Sequence, residues 1–205
     1  MGTRGLLDFI IRGQRVGTFT KFDAYPGGLG RWIVEFILSL SEEQIEEMAQ
    51  RVRELQWVDE DSPVPPDVYE RYTSLKFHLS EHDIYRSALD WANPHPFATP
   101  TPPPSDWASV LWQFRLRASN ALPHILDGTL KHCIDDSDFI HDGIFCEWAY
   151  YIDFESRRLW IISGGAGDDD DFYERAIGVD FVELHPRWIE EFALMSWLGN
   201  RDGDD

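Results

Sequence analysis

The segment Gly164-Gly165-Ala166-Gly167-Asp168-Asp169-Asp170-Asp171-Phe172-Tyr173-Glu174 sets four consecutive aspartates behind a glycine-rich stretch and adds a fifth carboxylate three residues on. Carboxylates crowded in this way repel one another when ionised, so a bound cation relieves them, whether a metal ion, an ammonium or a guanidinium. A guanidinium suits the arrangement well, because its planar fork of donors pairs with two carboxylates at once. The spacing predicts a helix opening at Asp171, with Asp170 as its cap and Asp171 and Glu174 on one face at i and i+3. Phe172 and Tyr173 supply apolar anchors that would hold the run against a core. The bland alternative is a solvated acidic loop.

A second acidic stretch, Asp135, Asp136, Asp138 and Asp142, is interleaved with His132 and His141 and offers imidazole and carboxylate donors. Its spacing matches no standard metal loop, so it reads as a solvated turn. Cys133 and Cys146 lack the spacing of a zinc or redox pair and read as reduced, buried thiols. The chain has no Walker A lysine, no GxSxG elbow, no HExxH and no GxGxxG in a strand context, which removes the common hydrolase and nucleotide-binding readings. Removing Met1 would expose Gly2, which has no side chain to act as an N-terminal nucleophile. Leu6 breaks the myristoylation pattern that Met1-Gly2 would open.

These residues sit in a chain of 205 residues, of which 43% are hydrophobic and 14% aromatic, enough to build a full core. Eighteen Lys and Arg against 37 Asp and Glu leave a net charge of -19, a field that repels phosphate backbones and argues against DNA or a generic nucleic-acid coat. The exception is the N-terminal end, where Arg4, Arg12, Arg15, Lys21 and Arg31 face only Asp8 and Asp23. The apolar stretch Gly5 to Ile11, interrupted by Asp8, is too short for a membrane span or a signal segment, so no membrane partner and a cytoplasmic location are expected.

The elements that must position the site follow from periodicity. Leu6–Ile11 and Val16–Phe22 read as a hairpin turning at Gly13, and Tyr25-Pro26-Gly27-Gly28 as a turn that either connects strand to helix or lets the backbone approach something closely. A helix is expected from Arg31, and a second from Ser41, with Gln44 in capping-box position. Helices are also expected over Asp67–Leu75 and Glu81–Trp91, then a stiff proline loop over Asn93–Pro104, then a helix from Ser105 or Asp106 that Pro123 ends. Ile144–Phe154 and Leu159–Ser163 read as a second hairpin, Ala176–Leu184 as strand or irregular, and Pro186 as the start of a last helix. Two hairpins separated by a block of helices predict an α+β fold, a sheet packed against helices, in one domain over residues 1–200 with a frayed acidic tail over 201–205.

Asp170-Asp171-Phe172-Tyr173-Glu174 fits a DDxxE motif, and with the chain's size it resembles the arginine-containing cyclodipeptide synthases of fungi. The opening Met1-Gly2-Thr3-Arg4-Gly5-Leu6 with Phe22-Asp23-Ala24-Tyr25-Pro26 is similar to a widespread set of uncharacterised proteins. The resemblance implies a transferase that takes arginine from arginyl-tRNA, joins it to a second aminoacyl group from another aminoacyl-tRNA, and closes the pair into a diketopiperazine without a cofactor or metal. It implies catalytic roles for Asp170, Asp171 and Glu174; the affinity of carboxylates for guanidinium adds substrate contacts by Asp168 and Asp169, with Tyr173 beside them as a further contact. With a charge of -19, tRNA would have to dock on the basic end, through Arg12, Arg15, Lys21 and Arg31. Two other functions stay open: a non-catalytic acidic module for a basic protein or peptide, and a divalent-metal hydrolase using Asp168 to Asp171.

Overall fold

A computed structural model describes residues 2–75, 105–114, 116–164 and 172–199. The expected helix at Glu81–Trp91, the proline loop Asn93–Pro104, the run Asp168–Asp171 and the tail at 201–205 lie outside the described residues.

β1 (Gly5–Ile11) and β2 (Gln14–Thr20) form an antiparallel hairpin. Its two turn residues, Arg12 and Gly13, have φ of 50° and 81°, the left-handed pair whose twist matches that of the strands. Past β2 the chain makes a π-helical turn over Pro26–Gly30 that runs directly into α1 (Arg31–Ser39). A Cβ on Gly28 would lie 2.2 Å from the Asp23 carbonyl oxygen, so this connection exists only because backbone meets backbone there. Both readings of that glycine pair therefore hold together.

Ser41 caps α2 (Glu42–Glu54): its Oγ accepts from the Gln44 amide at 3.3 Å, while the Gln44 side chain accepts from the Ser41 amide at 2.9 Å. β3 (Gln56–Val58) then pairs in parallel with the distant β4 (His132–Ile134), a two-stranded sheet that periodicity does not disclose. α3 spans Pro66–Ser74 and α4 Trp107–Gln113, the latter capped by Asp106, which accepts from the Ser109 amide at 2.7 Å. Pro123 does not end α4. It sits inside α5 (Ala121–Leu126), within the first turn, where the N–H that proline lacks has no helical partner to lose.

β5 (Trp148–Asp153) and β6 (Arg158–Ser163) make the second hairpin, shorter at its start than the β-rich composition of Ile144–Phe145 suggests. There the Asp142 carboxylate accepts from the Ile144 and Phe145 amides and holds a turn. α6 (Phe172–Arg175) leads to β7 (Ile177–Asp180), and α7 (Trp188–Gly199) starts two residues after Pro186. The five long strands form one sheet in the order β2-β1-β5-β6-β7, with the two hairpins joined by a parallel β1–β5 pairing and every other pairing antiparallel. The α+β expectation is met: two hairpins make one sheet, and helices cover it.

Alternation along β1 sends Leu7 and Phe9 to one face and Leu6, Asp8 and Ile10 to the other. The first face carries the main core, shared with α1, α2, α4, α5 and α7. The second carries a smaller cluster of Leu6, Ile10, Ala149, Tyr151 and Ile162, covered by Ile140 of a 3-10 turn (Ser137–His141) and by Phe172 of α6. Among the described residues no helix is long and apolar enough to cross a membrane.

Candidate functional site on the second sheet face

Strand register sets Gly17, Asp8, Tyr151, Trp160 and Gly178 side by side, one from each of the five strands, in a row across the second face. Both ends of the row are glycine for a steric reason. A Cβ on Gly17 would come within 1.6 Å of Asp8 Oδ1, and one on Gly178 within 2.6 Å of the Trp160 ring. The Asp8 carboxyl therefore leans over β2 and the Trp160 indole over β7, each occupying the place of an absent side chain.

Asp8 is only 1% exposed, and its Oδ1 has no hydrogen-bond partner among the described residues. Burial, first, and then the charge of Asp135 hold this carboxyl well above the ordinary range; Arg15 opposes the shift and Asp136 adds to it. Asp136 is committed elsewhere. Its Oδ2 accepts from the Phe19 amide at 2.8 Å, from Arg117 Nη2 at 3.0 Å and from Thr18 Oγ1 at 3.4 Å, tying the loop after β4 to the edge strand.

The acidic segment meets the sheet at Phe172, the first described residue of α6; Asp171, where the sequence pattern opens this helix, lies outside the described residues. Phe172 is buried, with its ring 4.8 Å from Tyr151 and 6.1 Å from Trp160, and the Arg15 guanidinium carbon lies over it at 4.4 Å from the centroid. Tyr173 packs edge-on to Trp160 at 5.2 Å yet stays 65% exposed, and Glu174 is exposed beside it. Of the expected catalytic and substrate-binding residues, the structure thus places Tyr173 and Glu174 at the surface of one helical turn, while Asp168, Asp169, Asp170 and Asp171 lie outside the described residues.

The four expected tRNA-binding cations do not converge on one face. Arg12 is exposed at the hairpin turn, and Lys21 lies past the other end of β2, about 20 Å away along a seven-residue strand, with its amine 5.8 Å from the Phe22 ring centroid. Arg31 opens α1 and is paired with Glu35 at 2.7 Å. Arg15 alone joins the row, turned toward Phe172.

The second acidic stretch proves to be turn chemistry. Asp135 accepts from Ser137, and Asp142 from two amides. His132 belongs to a separate buried network: its Nδ1 lies 2.8 Å from the Tyr72 hydroxyl, its ring stacks on Trp107 at 4.4 Å, and burial lowers its pKa to about 4. Cys133 and Cys146 are free and buried, and burial pushes both thiols up to about 12, which suits neither a nucleophile nor a metal ligand. Among the described residues no group of three or more His, Cys, Asp or Glu is placed to hold a metal ion.

Sequence reasoning passed over Asp8. Its signal was present as the one charge inside the apolar stretch Leu6–Ile11, opposite a glycine in the hairpin. No family model, curated protein or solved structure matches this chain, so its own residues carry the functional argument.

Proposed function

We propose that the chain is a tRNA-dependent cyclodipeptide synthase that joins arginine from arginyl-tRNA to a second aminoacyl group and closes the pair into a diketopiperazine. The observation that supports this reading is the seating of the described end of the acidic segment: Phe172 is locked into the second core, and Glu174 is presented outward beside Tyr173. Carboxylates this close in sequence suit a guanidinium, whose fork is recognised by geometry as well as charge. Peptide formation from two aminoacyl esters needs a base for the attacking amine and stabilisation of a tetrahedral oxyanion. Glu174 is assigned the base, and Asp168 to Asp171 the capture of the arginine side chain.

The deciding experiment incubates the protein with arginyl-tRNA and a pool of aminoacyl-tRNAs and analyses the products by mass spectrometry. An arginine-containing cyclic dipeptide that disappears in the Asp170→Ala, Asp171→Ala, Glu174→Ala triple variant is the expected result; folded protein that yields none refutes the assignment.

A second reading has a specific observation in its favour. Tyr173 and Glu174 stand on an outward helical turn, and neither lines the two described cavities, which lie beside α2 at Ala49, Val52 and Phe154 and at Arg51, Gly128 and Lys131. An outward acidic surface fits a non-catalytic module that grips a basic protein or peptide. Under this reading an arginine-rich peptide binds with an affinity that falls steeply with salt, and no dipeptide forms.

A further inference from the structure

We infer that the cavity between the end of α2 and the loop after α5 is a binding site for a small free α-amino acid, held by its carboxylate and ammonium groups. The inference goes beyond the function proposed above and does not draw on it, since no described residue of the acidic segment lines this cavity.

Its volume of about 130 Å³ is several times the ~30 Å³ of one water, room for a head group and a short side chain. Its walls carry both signs of charge. On the positive side, the Lys131 amine enters no ion pair among the described residues, while its backbone is fixed: the amide donates to the Tyr72 hydroxyl at 3.2 Å and the carbonyl accepts from the Gln56 amide at 2.9 Å. The Arg51 guanidinium packs on Gly128, whose φ of 73° suits glycine and where a Cβ would lie 3.1 Å from Cζ and Nη1. Arg51 gives Nη2 to Glu47 at 2.9 Å, but its Nη1 is 3.8 Å from Glu54 Oε2, too far for a hydrogen bond. Glu54 is the negative wall. Its Oε1 accepts from Gln50 at 2.8 Å, and its Oε2 accepts no hydrogen bond among the described residues. The end of α2 adds to that wall, because the Leu55 amide turns to the Val52 carbonyl at 3.4 Å and the last carbonyls of the helix lack helical donors.

A simple anion placed here meets Glu54 and the helix end, and a simple cation meets Arg51 and Lys131. A zwitterion meets each charge with its opposite: carboxylate to Arg51 Nη1 and Lys131, ammonium to Glu54 Oε2, side chain toward the buried Leu55 and Leu130.

The test titrates isotope-labelled protein with L-alanine, sodium acetate or methylammonium chloride at constant ionic strength and follows the Gly128 and Leu130 amides by NMR. L-Alanine is expected to shift both saturably with a millimolar Kd, and each simple ion to bind at least about tenfold more weakly, since it leaves one wall unpaired. Glu54→Gln and Lys131→Gln, both at exposed positions, should each weaken L-alanine about three- to tenfold, between the effect of an exposed ion pair and that of a hydrogen bond to a charged group. The simple ions respond with the opposite sign: acetate tightens in Glu54→Gln and methylammonium in Lys131→Gln, which a merely structural role for either residue would not produce. No saturable shift up to about 50 mM L-alanine, or acetate or methylammonium binding as tightly as L-alanine, would overturn the inference.

Discussion

His132 shows how a titratable side chain can be fully accounted for by its neighbours. The Tyr72 hydroxyl accepts from the Lys131 amide at 3.2 Å and lies 2.8 Å from His132 Nδ1, and the ring, its pKa lowered by burial, packs against Trp107. Because its pKa falls from 6.5 to about 4 on folding, the unfolded chain binds the extra proton as the medium is acidified. The stabilisation is therefore complete above pH 6.5 and is lost as pH falls toward about 4, a loss on the order of 3 kcal/mol. His132→Phe should flatten urea-derived stability across that window and cost about 1–3 kcal/mol at neutral pH, since the Tyr72 hydroxyl loses its hydrogen-bond partner on the ring. Asp8 has the opposite sign: its carboxyl is raised, so the folded state holds the proton more tightly and its contribution declines as pH rises above the ordinary carboxyl range. Asp8→Asn should be more stable than wild type in urea titrations at about pH 8, and the gap should close near about pH 4; curves that stay parallel would contradict the neutral, buried carboxyl. Neither environment was legible in the sequence. The partner of His132 is 60 residues away, and Asp8 becomes unusual only once register puts it opposite Gly17.

At the scale of elements, local rules read well wherever neighbours in sequence make the structure. The Gly13 hairpin, the Ser41–Gln44 capping box and the onset of α1 at Arg31 each follow from a few adjacent residues. They fail where a distant partner decides: β3 and β4 are three residues each and exist because they pair with each other, and Pro123 lies in the first turn of α5 instead of ending α4, which has already stopped at Gln113. The site divides in the same way. Phe172 is recognisable as an anchor, Tyr173 turns out 65% exposed, and the seat built by Arg15, Tyr151 and Trp160 comes from three different strands. Two substitutions separate the kinds of constraint. Ser41→Ala removes a cap and should cost about 1 kcal/mol. Gly17→Ala would put a methyl within 2.4 Å of the Asp8 Cα, so β1 and β2 must part, and the cost should be about 3 kcal/mol or more. If chemical denaturation gave the two variants equal losses, the steric account of Gly17 would fall.

For the molecule as a whole, charge and topology pull in different directions. A net charge of -19 is spread over a fold whose two cores are otherwise well filled, so self-repulsion is a standing cost of the folded state. Raising NaCl from about 20 mM to about 500 mM should screen it and lift the melting temperature, by about 2–4 °C for each kcal/mol of repulsion relieved. A melting temperature that fell with salt would mean that attractive pairs dominate, and the surface pairs Arg31–Glu35 and Arg51–Glu47 are too exposed to have that weight.

The parallel seam between the hairpins has a consequence for how the chain is born. β1 is apolar on both faces and needs β5 along one edge, but Trp148, which pairs with Gly5, is synthesised 143 residues later. At ribosomal speeds the first hairpin waits about 10–30 s with that edge unpaired. During this interval GLLDFII is an open template for any other strand, and the charge at Asp8 interrupts an otherwise continuous adhesive edge. The residue that disturbs the finished core is thus also the nascent chain's guard against sticking to its neighbours.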